Sequence, residues 1–323
     1  MPGFISMSEA IHEAIQEEME RDDTVFFMGE DVSQGGVFGE VAGLPLKFGR
    51  KRVFDTPIAE SMIVGAGVGA AITGLRPIVG LQFADFVSVA MDEIYNKAAK
   101  WRYMHGGLFS VPLVIFAVEG AIGGAGPEHS QCPEGMFWSA FGLRVVMPST
   151  PADAKGLLKS AIRENNPVLF LVHKALIAST GDVPDGDHLV PLGLADVKRD
   201  GTDVTVVAWS NLVTSALAAA DTLAADGVSI EVIDPRGISP LDVEAVLASV
   251  RKTGRVVLAH EAPYTGGPGG EVAALIAERA IDSLQAPVRR VASPDIPIPQ
   301  NMRYEQFLVP GVDDIVQAAR SLL

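Results

Sequence analysis

The sequence predicts an α/β protein of two domains, each with a mainly parallel sheet flanked by helices. Three observations carry this reading. Short apolar runs alternate with longer amphipathic segments along nearly the whole chain, the pattern of strand–helix–strand crossover units. The 323 residues are too many for one ordinary core. A polar stretch, ASTGDVPDGDHLVP, interrupts the alternation once and reads as a linker. The expected domains are therefore residues 1–180 and 201–323, joined by a linker over 181–200.

The elements follow in order. SMSEAIHEAIQEEME, at 6–20, spaces its apolar residues at helical intervals. TVFFMG is a short buried strand that leads into a polar, Gly-rich loop, EDVSQGGVFGE. RVFDT is the next strand and ESMIVGAGVGAAITG the next helix. RPIVGLQF is a strand running into a long helix expected over 86–103. VPLVIFAV is a further apolar strand, and it delivers the stretch GAGPEHSQCPEG at 124–135. LRVVMP, a helix over 151–163 and PVLFLV complete the first domain. In the second, DVTVVAW, SIEVIDP, RVVLAH and VRRVAS are strands, with helices over 211–225, LDVEAVLASV and 270–280 between them. A proline-rich segment, SPDIPIPQ, and a last helix close the chain.

Composition narrows the function. The balance of 25 basic against 40 acidic residues gives a net charge of −15. No basic footprint exists to neutralise phosphates, which argues against nucleic acid, and an anionic membrane surface would repel the chain. The N-terminal stretch has no basic region followed by an apolar core, so it does not read as a signal peptide. No run of about 18 apolar residues occurs. A single cysteine excludes an intrachain disulfide framework. The expectation is a soluble cytoplasmic protein.

Several motifs invite chemistry and do not sustain it. Gly65, Gly67 and Ala70 satisfy a dinucleotide-binding spacing, but the residues before them read as helix rather than strand, so close helix packing explains them better. TGGPGGE at 265–271 lacks the Lys-Ser/Thr of a phosphate-binding loop and reads as a structural turn. Cys132 stands near His129, yet Glu128 and Glu134 would raise a thiol pKa rather than lower it. A buried or incidental thiol is the default there. His129 itself lies in a Gly-rich loop after an apolar strand, where α/β proteins bind ligands; a satisfied loop histidine is the alternative. Glu60 opens an apolar helix. It is either a first-turn acid favoured by the helix dipole or a half-buried carboxylate able to exchange protons with a cofactor.

The runs FMGEDV, FDTPIAESMIVGAGVGAA, GLQFADF, NKAAKWRYMHGG, EHSQ and MPSTPADAKGLL resemble the β subunit of the E1 component of 2-oxo acid and acetoin dehydrogenase complexes. The likeness continues through IDPRGISPLD, HEAPYTGG and DIPIPQ, so it spans nearly the whole chain in order. It implies a transketolase-like pair of domains, pyrimidine-binding then C-terminal, and dependence on thiamine diphosphate. It also implies that Glu60 hydrogen-bonds N1′ of the aminopyrimidine, promoting the imino tautomer that takes the thiazolium C2 proton. Phe86 would stack on the pyrimidine, Gln82 would line the same pocket, and Ile58 would offer a backbone contact. His129 matches the family's active-site histidine, which positions substrate and assists proton transfers during acyl transfer to lipoamide.

The family holds Mg²⁺ and the diphosphate with GDG and a downstream Asn. This chain has no GDG, only DGDH at 185–188, so the resemblance implies that an α subunit supplies that half of the site in an α2β2 assembly. No metal ligand is expected from this chain, and a potassium loop of some relatives, which falls at 161–166, is matched poorly. A lipoyl-bearing E2 acyltransferase is the further partner implied. Departures from the pattern are Phe116 where many relatives have Arg, and Glu128 where they have Tyr. With Glu119 they favour a neutral acyloin such as acetoin over a carboxylate substrate. Competing readings are half of a split transketolase and a non-catalytic scaffold subunit.

Overall fold

The computed structural model describes residues 3–323. The chain divides into two compact units, Met1–Glu119 with Phe137–Leu192, and Gly120–Met136 with Gly193–Leu323. The segment 120–136, which the sequence expectation carries in the first domain, thus belongs to the second unit.

In the first unit the strands run parallel in the order Arg144–Val146, Val168–His173, Val114–Glu119, Arg76–Phe83, Val25–Gly29, Val53–Asp55. The strands 114–119 and 168–173 are buried throughout, as a parallel sheet covered on both faces requires. The helix Met7–Arg21 starts where it does because Ser6 and Glu9 form a capping box: Glu9 N donates to Ser6 Oγ at 3.2 Å and Ser6 N donates to Glu9 Oε2 at 2.7 Å. It packs on the helix Pro151–Arg163, itself capped by Thr150 with proline in its first turn. Two buried lysines on that second helix are paired rather than left alone. Lys155 meets Glu13 at 2.7 Å and Glu17 at 2.8 Å, and Lys159 meets Glu17 at 2.6 Å. The stretch 180–183, expected as linker, is a strand pairing antiparallel with Gly3–Ser6.

The helix expected over 86–103 is broken. A 3-10 turn covers Ala84–Ser88, a wider π-helical stretch covers Asp92–Ala98, and only Trp101–Met104 is α-helical. Ile94 and Ala99 are both buried at a five-residue spacing that an α-helix cannot keep on one face. The backbone widens so that Ala99 N donates to Ile94 O at 3.0 Å.

The second unit holds a five-stranded sheet in the order Arg289–Ser293, Val256–Pro263, Val204–Ala208, Ile230–Asp234, Asp196–Arg199. All neighbours are parallel except the last pair. Helices Leu212–Ala224, Val243–Thr253, Pro268–Ala280 and Val312–Arg320 accompany it. Its core gathers Val206, Val232, Val257, Leu223 and Ile315, all at or below 1% exposure.

Candidate active site

In the first unit the candidate residues gather at the carboxyl ends of neighbouring parallel strands, the edge where α/β sheets bind ligands. Strand 25–29 runs into Glu30 and Asp31, strand 53–55 leads to Glu60 through 56–59, and Gln82 lies near the end of strand 76–83. Short ties hold these turns. Thr56 N donates to Gly29 O at 2.8 Å, and Ser33 N donates to Asp55 Oδ1 at 2.7 Å. The strands approach closely because Gly29 and Gly80 face each other; a Cβ on Gly29 would stand 2.5 Å from Gly80 O.

Glu60 is the first residue of the helix Glu60–Ile72 and is 9% exposed, so the helix dipole favours its charge while burial opposes it. Glu30 is equally buried, and its Oε1 has no hydrogen-bond partner among the described residues. Burial first, then the charges of Glu60 and Asp31, push the Glu30 carboxyl above its ordinary pKa. Gln82 Nε2 donates to Asp31 Oδ2 at 3.1 Å, which fixes the amide. Asp31 sits at φ +52°. Phe86 meets Phe83 edge-on, with centroids 6.1 Å apart, and Phe83 meets Phe38 in the same way at 6.0 Å. Ile58 is 80% exposed. Glu60, Phe86, Gln82 and Ile58 are thus all placed in this unit, and the structure adds Glu30 and Asp31. The signal for those two was present in the sequence: two acids directly after an apolar strand.

His129 lies in the second unit, on the loop Gly120–Met136. Its N–H donates to Gly126 O at 3.3 Å, and it is half-buried beside the exposed Glu128. Two distant carboxylates hold the loop. Glu261 Oε1 accepts Ala121 N–H at 2.6 Å, and Glu305 Oε2 accepts Gly124 N–H at 2.9 Å. Such charge-assisted bonds are about twice as strong as neutral ones. Gly135 closes the far end, where a Cβ would stand 2.1 Å from Gly266 O. Glu134 beside it is buried, and burial first, then the Glu261 charge, push its carboxyl up to about 7. None of these fasteners was singled out in the sequence.

The misleading motifs resolve as packing. A Cβ on Gly67 would meet Val79 and Leu113 side chains within 2.9 Å, so the glycine stripe lets the helix 60–72 lie close on the sheet. The TGGPGG turn is shaped around His260, whose ring leaves no room for a Cβ on Gly267 or Gly269. Burial holds that imidazole down near pKa 4 and so neutral. Phe116 lies in the core at 4% exposure, stacked on Phe170. Cys132 is buried.

Residues 4–179 match the transketolase pyrimidine-binding domain, and residues 193–315 match the transketolase C-terminal domain. The chain is 46% identical to the 2-oxoisovalerate dehydrogenase subunit beta of Bacillus subtilis (strain 168), covering 98% of each. The chain belongs to the E1 β-subunit family of thiamine-diphosphate-dependent dehydrogenases. It is also 42% identical to the acetoin:2,6-dichlorophenolindophenol oxidoreductase subunit beta of the same organism, over 100% of this chain and 98% of that one. Among solved structures, a split-gene transketolase described as an inactive beta4 tetramer superposes with a TM-score of 0.82 at 25% identity, covering 99% of both chains. Among the described residues no helix is long and apolar enough to cross a membrane.

Proposed function

We propose that this E1 β chain carries the pyrimidine half of a thiamine diphosphate site. With an α subunit it cleaves a small 2-oxo acid or acyloin and passes the acyl group to lipoamide on an E2 acyltransferase. The observation that carries this reading is the buried pair Glu60 and Glu30 at the strand ends of the pyrimidine-binding domain. A buried carboxylate oxygen without a donor, Glu30 Oε1, beside a second carboxylate fits a heterocycle that brings N–H donors to these strand ends.

Thiamine diphosphate held there would supply a carbon nucleophile. Glu60 would accept the ring N–H and exchange its proton, with the helix N-terminus steadying the charged carboxylate. Burial first, then the charges of Glu60 and Asp31, raise the pKa of the neighbouring Glu30. Phe86 would present its ring to the pyrimidine, Gln82 would offer an amide oriented by Asp31, and Ile58 would add a backbone contact. The α subunit would hold Mg²⁺ and the diphosphate, because this chain lacks GDG. His129, on its fastened loop, would position substrate and move protons during acyl transfer.

The loop 120–136 has no Lys or Arg and exposes Glu128 next to His129. A carboxylate substrate gains no cation from it, which favours a neutral acyloin. The likeness to a split-gene transketolase chain supports a second reading, ketol transfer between sugars without a lipoyl partner. The test is to recover the chain with its co-purifying partners and to assay dichlorophenolindophenol reduction with acetoin, 2-oxoisovalerate and pyruvate. Glu60→Gln should lower turnover by about 10²–10⁴-fold with unfolding unchanged. Undiminished turnover would remove Glu60 from the chemistry and leave a scaffold role, and a GDG partner recovered without any lipoyl protein would select the transketolase reading.

A further inference from the structure

Asp31 and Gln82 stand at the carboxyl ends of two neighbouring strands of the first unit, 25–29 and 76–83. Asp31 has a left-handed backbone, at φ +52°, a region that aspartate tolerates better than most residues. Its carbonyl accepts from Gln34 N at 3.2 Å and from Gly36 N at 3.1 Å, so the turn holds it by its main chain. Its side chain meets the next strand, where Gln82 Nε2 donates to Asp31 Oδ2 at 3.1 Å.

That bond decides which end of the amide a ligand meets. A carboxylate accepts hydrogen bonds and does not donate them, whereas a primary amide has a donor end and an acceptor end. Asp31 takes the donor end of Gln82, and turning the amide over would set its oxygen against the carboxylate. Oε1 is the end left over. Gln82 is half-buried, and Oε1 is neither sealed from solvent nor bonded to another of the described residues. An accessible acceptor therefore stands on the same sheet edge as the Glu60 carboxylate. Without Asp31 the amide could offer either end; with it, only the oxygen.

We propose that Asp31 is a positioning residue: by holding the donor end of Gln82 it makes this site select a ligand that brings an N–H or O–H donor. The inference rests on the cofactor reading above, which brings two such donors, the exocyclic amino group of the aminopyrimidine and the hydroxyl of an acyloin. The test uses the chain assembled with its α subunit. Asp31→Asn suits the left-handed backbone equally well and frees the Gln82 amide to turn. Gln82→Met removes the amide at nearly constant size. Calorimetry gives Kd for thiamine diphosphate and for its analogue with an oxo group in place of the amino group, and steady-state assay gives KM and kcat for acetoin. If the amino group meets Oε1, Asp31→Asn should lower the preference for thiamine diphosphate over the oxo analogue by about tenfold, the scale of one hydrogen bond. If the acyloin hydroxyl meets it, KM for acetoin should rise by a similar factor at constant kcat, with that preference unchanged. Either effect should vanish in a Gln82→Met background, because Asp31 acts only through the amide. An effect of the same size in Gln82→Met would overturn the proposal, since Asp31 would then act through the charge it places near Glu30. A parent assembly that binds no thiamine diphosphate would fail the cofactor reading and this inference with it. Binding by the parent, with both quantities unmoved by Asp31→Asn, would overturn this inference alone.

Discussion

Buried carboxylates at the two candidate sites play different parts, although Glu134 in the second unit, like Glu30 in the first, has one oxygen (Oε2) without a hydrogen-bond partner among the described residues. In the second, Glu261 and Glu305 are committed to backbone N–H groups of the loop that carries His129. In the first, Glu30 keeps an oxygen without a donor next to Glu60, at the ends of the parallel strands. A carboxylate that already holds a main-chain donor is a fastener and has little left for a ligand. One left without a donor carries an unmet desolvation cost that a ligand can relieve. Burial alone does not distinguish the two kinds; the hydrogen-bond partners do.

The largest structural contrast should appear at the glycines that let each region close. Gly29→Ala drives a Cβ to 2.5 Å from Gly80 O, and Gly135→Ala drives one to 2.1 Å from Gly266 O. The second contact is the shorter, but it lies between two loops that can give way. The first lies between adjacent strands of a parallel sheet that cannot. Gly29→Ala should therefore cost more, at least about 3 kcal/mol against about 1–2 for Gly135→Ala. Urea unfolding measures both. The reverse order would mean that the loop 120–136 is as rigid as the sheet, and the comparison would fail.

The next largest effect separates the regions by pH. Glu134 is pushed up to about 7, chiefly by burial and then by Glu261. Its folded form holds the proton more tightly than the unfolded chain does. The associated stability is fully present below the ordinary carboxylate pKa near 4.5 and is lost as pH rises through about 7. Above that the charged, buried Glu134 costs on the order of 3 kcal/mol. Glu134→Gln should thus raise the melting temperature over the parent at pH 8 and leave it close to the parent at pH 4. Glu30→Gln should act with the same sign and a smaller size, since the same causes raise its pKa less far. If Glu134→Gln kept the parent's pH profile, the titrating group would lie elsewhere.

What could be read from the sequence divides along similar lines. The strands 25–29 and 76–83 and the helices 7–21 and 151–163 announce themselves by local periodicity and flanking turns. Glu60 stood out because one acid opens an otherwise apolar helix. The broken segment 84–104 was hidden because its wider turn follows from burying both Ile94 and Ala99, a tertiary demand. The strand 180–183 was hidden because its partner is the N-terminal GFIS. The contacts that group the loop 120–136 with the second unit were hidden for the same reason. Its fasteners arrive from 140 and 181 residues away, and no local pattern marks them.

The smallest effect tests that fastening directly. Glu305 is 4% exposed and opens its carboxylate onto Gly124 N–H from the short helix Met302–Leu308. A hydrogen bond to a charged group is worth about 1.5–3 kcal/mol, and much of that should be recovered by water once the loop loosens. Glu305→Ala should therefore cost only about 1 kcal/mol of global stability, while hydrogen exchange at Gly124 accelerates by roughly tenfold or more. Glu305→Gln keeps an acceptor and should restore most of the protection. Exchange in the strands 25–29 and 76–83 should not move in either variant, because nothing in the first unit depends on that bond for its own sheet. The informative result is the pattern. Faster exchange confined to 120–136, with acyl transfer slowed if His129 has the role proposed for it and no loss in the step proposed for Glu60, is what a fastener produces. Faster exchange across both units would instead mean that Glu305 supports global stability, and the distinction between fastened and uncommitted carboxylates would lose its functional meaning.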